Sequence, residues 1–286
     1  MTRLNSVAAA IATAALLASS FVTADHHGGA HASSITKIDS NEFGIDAKEI
    51  ADIKAQMQAA VDGGFIAGNI LLVGNSEGVG VLETAGTQGP GQSTPMDEQT
   101  FFRIYSMTKP IVSVATMTLV EDGLLAISDP VSKYIPEFAN MTVINEETGA
   151  ITPAANEMTV QDLLTHESGL IYGIFDPQSE LGKMYFQAGS LRSDITALTL
   201  AQNLAALPLR FEPGTKWNYS RSTDVLGAVI EVAAGKPLDA LLNERIFAPL
   251  GMDETTFFVD VSKAARIAHP IHGEMADPTV VTPMLS

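Results

Sequence analysis

The sequence predicts an α+β fold in which an antiparallel strand pair is flanked by helices and joined by a mostly helical subdomain. Three observations carry this. Ala47 to Val61 repeats apolar residues at helical spacing (Ile50, Ile53, Met57, Ala60) and stops at Gly63-Gly64, which describes an amphipathic helix with a glycine end. Two β-branched, apolar runs follow, Phe65 to Val73 and Val79 to Ala85, joined by Gly74-Asn75-Ser76-Glu77-Gly78, a segment with hairpin chemistry. From about 125 to 210 the pattern is helical with long loops, including Val160 to Thr165 and Ile195 to Leu207 and a glycine-broken stretch from Gly169 to Gly189.

The remaining elements follow in order. A Gly/Pro/Ser/Thr loop, Gly86 to Pro95, leads to Phe101-Phe102-Arg103-Ile104. A long apolar helix then runs through Ile111, Val112, Val114, Ala115, Met117, Leu119 and Val120 to Glu121-Asp122-Gly123, and its near lack of a polar face predicts burial on most sides. Ser128-Asp129-Pro130-Val131 starts a short helix reaching Tyr134. Two more helices are expected over Asp224 to Ala233 and Pro237 to Phe247.

The N-terminus reads as a secretory signal. Arg3 is the only charge before Asp25, Val7 to Leu17 form an alanine-rich apolar run, and Val22-Thr23-Ala24 offers small residues, so cleavage is expected after Ala24. The run is short for a membrane span, and no second candidate follows. Residues 25–45 read as a flexible leader, and 46–286 as the folded domain. His26, His27 and His31 cluster in that leader, but no histidine or carboxylate elsewhere is spaced to complete a metal site.

At 286 residues with 46% apolar content, the chain is long enough to bury a real core. A net charge of −17 argues against nucleic acid or an anionic membrane as partner. The absence of cysteine excludes thiol catalysis and disulfides. No P-loop, no G-x-G-x-x-G and no complete metal-ligand set is present, so no cofactor is expected.

Chemistry centres on Ile104-Tyr105-Ser106-Met107-Thr108-Lys109-Pro110, where a strand-like run meets the apolar helix. If the helix starts at or just after Ser106, Lys109 lies one turn on along the same face, within reach of the hydroxyl. A serine needs a neighbour to take its proton, and an amine whose pKa is lowered in a partly dry pocket would serve. Pro110 fits because the first helical N–H groups have no internal partner. The positive end of the helix dipole would then face charge developing at the serine. A second acid/base group is offered by Tyr219, on the turn Pro213-Gly214-Thr215-Lys216-Trp217-Asn218-Tyr219-Ser220; the residues alone equally allow an ordinary half-buried tyrosine there. S-x-x-K alone is more often the pattern of a helix cap followed by a surface lysine, and the rest of the chain is what shifts the reading.

Two other motifs are set aside. Gly74-Asn75-Ser76-Glu77-Gly78 spells the nucleophile elbow G-x-S-x-G, but a strand follows it where a helix is required. His166-Glu167 begins like a zinc-protease helix but has Leu170 where the second histidine should stand.

Four boxes occur in order: Ser106-Met107-Thr108-Lys109-Pro110, Leu163-Leu164-Thr165-His166-Glu167-Ser168-Gly169-Leu170, Pro213-Gly214-Thr215-Lys216-Trp217-Asn218-Tyr219-Ser220, and Phe247-Ala248-Pro249-Leu250-Gly251-Met252. In this the chain resembles the serine β-lactamase and penicillin-binding-protein-like hydrolases from about Ile50 to Val259, and most nearly the class C β-lactamase-like, or family VIII, carboxylesterases. The resemblance implies a β-lactamase/transpeptidase-like fold with an active site between an α/β part and a helical part. It also implies an acyl-enzyme on Ser106, with Lys109 helping to deprotonate the serine and Tyr219 shuttling the proton to the leaving group and then activating water.

The chain departs from the pattern twice. Tyr219-Ser220-Arg221 stands where many relatives have Tyr-x-Asn, which shifts the expectation from β-lactam to small ester. No third box of the Lys-Thr-Gly, His-x-Gly or Trp-Gly-Gly kind follows, since His272-Gly273 lies in a polar, proline-punctuated stretch. The chain is therefore expected to stop before the family's last strands, with weak turnover as a result. The expected function is that of an exported, periplasmic or secreted hydrolase of small esters. The alternatives are a β-lactamase or D-alanyl-D-alanine carboxypeptidase, and a non-catalytic relative that binds peptidoglycan or protein.

Overall fold

The computed structural model describes residues 36–190, 192 and 195–271. The expected signal, 1–24, the clustered histidines and His272-Gly273 lie outside these residues.

The leader expected over 25–45 joins the fold from Thr36 on, which corrects that reading for its last ten positions. Val79 N–H donates to Thr36 O (2.8 Å) and Ile38 N–H to Val79 O (3.1 Å), a parallel bridge onto the first hairpin. A 3-10 turn, Ser40–Phe43, then lays the Phe43 ring over Gly80, where an added Cβ would lie 2.5 Å from the ring. Only a glycine leaves room for that approach. The sequence offered no periodicity over so short a segment.

Helix α1, Ala47–Asp62, starts at a reciprocal cap between Asp46 and Glu49. Its expected apolar face, Ile50, Ile53, Met57 and Ala60, is half-buried and lies on the hairpin of β1 (Gly68–Gly74) and β2 (Val79–Gly86). Between the strands, Asn75 Oδ1 accepts from Glu77 and Gly78 N–H, so Ser76 sits in a hairpin turn rather than a nucleophile elbow.

A 3-10 turn, Tyr105–Met107, runs straight into α2, Thr108–Glu121. The α2 residues Val112, Ala115, Thr116 and Leu119 are buried. The expectation of burial on most sides is too strong, because Val114 and Met117 form an exposed apolar stripe. Composition marks a helix as apolar without saying which flanks are covered.

The helical region contains a short hairpin that the sequence did not suggest, β3 (Thr142–Ile144) with β4 (Ile151–Pro153). Three-residue strands are too short to show alternation. Leu209 extends it, donating to Thr142 O and accepting from Ile144 N–H. Helices α3 (Val160–Leu164), α4 (Glu180–Gln187) and α5 (Ala197–Ala205) complete the region.

Helix α6, Ser222–Ala234, is the centre of the core: Val225, Leu226, Ala228, Val229 and Ile230 are fully buried. It packs against α2, α3, α5 and α7 (Leu238–Leu242). Each of the Val, Leu and Ile side chains contributes roughly 1.5–3 kcal/mol. The helix expected over Pro237 to Phe247 is α7 followed by a π-helical turn, Asn243–Phe247. Residues 101 and 267 form a parallel bridge that ties the later chain to the segment before the nucleophile.

Candidate active site

Ser106 stands in the 3-10 turn at the head of α2, exposed, at the positive end of the helix dipole. Tyr105, just before it, has φ 44°, a left-handed conformation that a tyrosine rarely adopts. The change of direction there sets the serine beside Lys109 and Tyr219 as the chain turns into the helix. One turn on, Lys109 Nζ lies 3.4 Å from Ser106 Oγ, as the spacing predicts, but its shorter contact is to Tyr172 OH at 2.9 Å.

Tyr219 arrives from a segment zipped against the chain around His166. Gly214 N–H donates to Glu167 O and Asn218 N–H to His166 O, both at 2.9 Å. The Asn218 amide donates to Leu170 O (3.1 Å), and Ser220 N–H donates to His166 Nδ1 (3.3 Å). With Nδ1 an acceptor, the ring proton rests on Nε2. Behind this runs a chain of buried hydroxyls: Ser220 to Ser222 at 2.6 Å, Ser222 to Ser168 at 2.7 Å, with Leu170 N–H donating to Ser168. The result sets Tyr219 OH 2.5 Å from Ser106 Oγ. His166, with φ 60°, is the second non-glycine residue of positive φ among those described, and its ring lies 4.9 Å from that of Tyr219. Backbone strain of this kind collects where the surroundings hold a site in place.

The three predicted residues, Ser106, Lys109 and Tyr219, therefore meet. Two more join them that sequence reasoning missed. Tyr172 stacks on Tyr219 with ring centroids 5.5 Å apart at 28°, and Arg221 lies over the Tyr172 ring, its Cζ 4.6 Å from the centroid. Arg221 Nη1 pairs with the buried Asp224 at 3.0 Å. The only sequence signal for Tyr172 was its place two residues after the Thr165-His166-Glu167-Ser168-Gly169-Leu170 box; no spacing ties it to Lys109.

The electrostatics differ from the expectation of a lysine with lowered pKa. Burial does push the Lys109 ammonium down, but the hydrogen bonds to Tyr172 and Tyr219 outweigh it, and the net direction is up. Burial pushes the Tyr219 phenol up, yet hydrogen bonds from Lys109 and Ser106 and the lysine charge bring it below its ordinary 10.0. Tyr172 goes the other way, raised by burial and by the Asp224 carboxylate. Burial raises Asp224, partly offset by Arg221. His166 is lowered below its ordinary 6.5 by burial and by the charge of Lys109. Two stacked phenols on one ammonium are thus driven in opposite directions, which is how acid/base roles become distinct.

A cavity of about 410 Å³ opens behind the turn, lined by residues including Tyr105, Thr108, Ile111, Phe247 and Phe257 but not by Ser106, Lys109 or Tyr219. No cluster of three or more metal-ligating side chains occurs among the described residues.

A family model described as Beta-lactamase matches residues 53–286. Esterase EstB of Burkholderia gladioli is 33% identical over 249 residues, covering 84% of this chain and 59% of that protein. Lovastatin esterase of Penicillium rubens is 32% identical over 208 residues, covering 70% and 51%. The chain spans about half the length of the curated relatives it matches. Among solved structures, EstCE1, described as a hydrolase with promiscuous acyltransferase activity, superposes with a TM-score of 0.66 at 29% identity, over 79% of this chain and 59% of that one.

Proposed function

The chain belongs to the beta-lactamase family, and from that premise we propose that it is a serine hydrolase of small carboxylic esters, acting through an acyl-enzyme on Ser106. The observation that carries the reading is the 2.5 Å contact between Tyr219 OH and Ser106 Oγ beside the Lys109 ammonium. Tyr219, as phenolate, takes the serine proton while Oγ attacks the ester carbonyl carbon. The same proton passes to the departing alkoxide, leaving the acyl group on Ser106. Water then attacks the acyl carbon with Tyr219 again as base, and the proton it takes passes to Ser106 Oγ as the acyl–oxygen bond breaks, releasing the acid and restoring the phenolate. Lys109 stays an ammonium and holds the phenolate charge; the lysine does not itself need to accept the proton. The Ser106 N–H, at the helix head, is the donor for the developing oxyanion.

An ester is favoured over a β-lactam because the position two after Tyr219 is Arg221, engaged with Asp224 and Tyr172, where an amide side chain would be available to a lactam. The ester names of EstB and lovastatin esterase support the same choice. Export is part of the proposal, with cleavage after Ala24, and the mature N-terminus of secreted protein tests it.

The deciding experiment is intact-mass analysis after exposure to a fluorophosphonate. One adduct on the wild type that disappears in Ser106→Ala supports the acyl-enzyme reading. Folded wild-type protein that takes up no adduct overturns it and favours a binding relative. Hydrolysis of a short-chain aryl ester but not of a chromogenic cephalosporin separates the ester reading from the β-lactamase one.

A further inference from the structure

The ammonium of Lys109 has a nearer partner than the nucleophile. Its Nζ is 2.9 Å from Tyr172 OH and 3.4 Å from Ser106 Oγ, and it lies over both tyrosine rings, 4.8 Å from the centroid of Tyr219 and 5.5 Å from that of Tyr172. Tyr172 is itself held from several directions. Its carbonyl accepts from the buried Ser190 hydroxyl (3.1 Å), and Ile171 before it is in the core. Gly173 after it packs closely on the fully buried Tyr185. Its ring is fixed between Tyr219, Phe175 and the Arg221 guanidinium.

We propose that Tyr172 is a positioning residue of the site: its hydroxyl holds the Lys109 ammonium against the Tyr219 phenol, and so keeps Tyr219, rather than Lys109, as the group that takes the serine proton. This rests on the acyl-enzyme reading above. A phenol oxygen has lone pairs for the ammonium while keeping its own proton, and Tyr172 is suited to that part because burial and Asp224 oppose its ionisation. Arg221, paired with Asp224, packs on the same ring, whose hydroxyl meets the lysine at 2.9 Å.

The charged and titratable groups around this pair are Lys109 from α2, Tyr219, Arg221 and Asp224 from the segment leading into α6 and its first turn, and His166 beside the Tyr219 ring. Loss of the Tyr172 hydroxyl removes one of the bonds that favour the lysine charge and one that favours ionised Tyr219. The lysine then titrates lower and Tyr219 higher, so the pH range in which ammonium and phenolate coexist narrows from both sides.

The test is Tyr172→Phe in the full 286-residue chain, which keeps the ring and its stacking. The rate of fluorophosphonate capture by Ser106 is followed from neutral pH upward, alongside the phenolate absorbance of the same proteins, with Tyr219→Phe as the reference that identifies one tyrosine among five. The expected result is a rate at neutral pH lower by roughly tenfold to a hundredfold, the worth of one hydrogen bond to a charged group. The rising limb and the Tyr219 phenolate band should both move to higher pH, with an unchanged melting temperature. A labelled wild type whose rate, limb and phenolate band all stay put in Tyr172→Phe overturns the assignment to Tyr172 while leaving the acyl-enzyme reading intact. A wild type that takes no label overturns both.

Discussion

Tyr219 and Ser106 place their hydroxyl oxygens 2.5 Å apart although 113 residues of chain separate them. That distance lies at the short end of the range for charge-assisted O–H···O hydrogen bonds, and the Lys109 ammonium is beside it. Replacing the phenol by Tyr219→Phe should lower fluorophosphonate capture by roughly a hundredfold to ten-thousandfold, the usual worth of a general base. Lys109→Met should cost a similar factor. The double variant should be little worse than either alone, since the two act as one unit. Additive losses would mean that lysine and tyrosine work independently.

The pH dependence follows in sign from the two shifts. Tyr219 ionises below its ordinary 10.0, and Lys109 keeps its proton beyond the ordinary 10.5. The reactive pairing of phenolate with ammonium therefore grows as pH rises towards the Tyr219 value and is lost only above the Lys109 value. Ser106 capture should climb steadily from neutral pH with no fall before 10.5. A maximum near neutrality would instead point to His166 as the titrating group.

The serine chain behind Tyr219 is a stability element. Ser222 bonds to both Ser220 and Ser168 and is fully buried. Ser222→Ala leaves two buried hydroxyls short of a partner and should cost about 1–3 kcal/mol in urea unfolding. Adding Ser168→Ala should cost less than its effect on the wild type, because the two sites share one bond.

Asp129 offers a control far from the chemistry. Bonds from Lys133, Tyr134 and the Ala126 N–H hold its carboxyl down at about 2, against an ordinary 3.8. A depressed carboxylate stabilises the fold above the unfolded value and loses that contribution as pH falls through the folded one. Wild type should therefore exceed Asp129→Asn in melting temperature above pH 3.8 and converge with it as pH falls towards about 2. The gap should be modest, at most about 1 kcal/mol, since the Lys133 partner is solvent-exposed.

What the sequence made legible was local. The α1 cap and period, the Gly74–Gly78 turn and the Ser106/Lys109 spacing each depend on residues a few positions apart, and each is where it was expected. Tyr219 needed the order of four boxes to be singled out. Tyr172 was invisible because its role comes from packing around the hydroxyl chain and Asn218, which no period encodes. The direction of the Lys109 shift was missed for a related reason. Burial alone lowers an ammonium, and only the two phenol oxygens, known once the fold is closed, reverse that.

The site's two halves also differ in when they can exist. Ser106 and Lys109 come within reach as soon as the first turn of α2 forms, but the phenol must travel in from beyond the whole helical region. A chain not yet folded thus holds the Ser106–Lys109 pair without the Tyr219 phenol beside it. Under the proposed mechanism, uptake of a serine-directed label therefore counts folded molecules only.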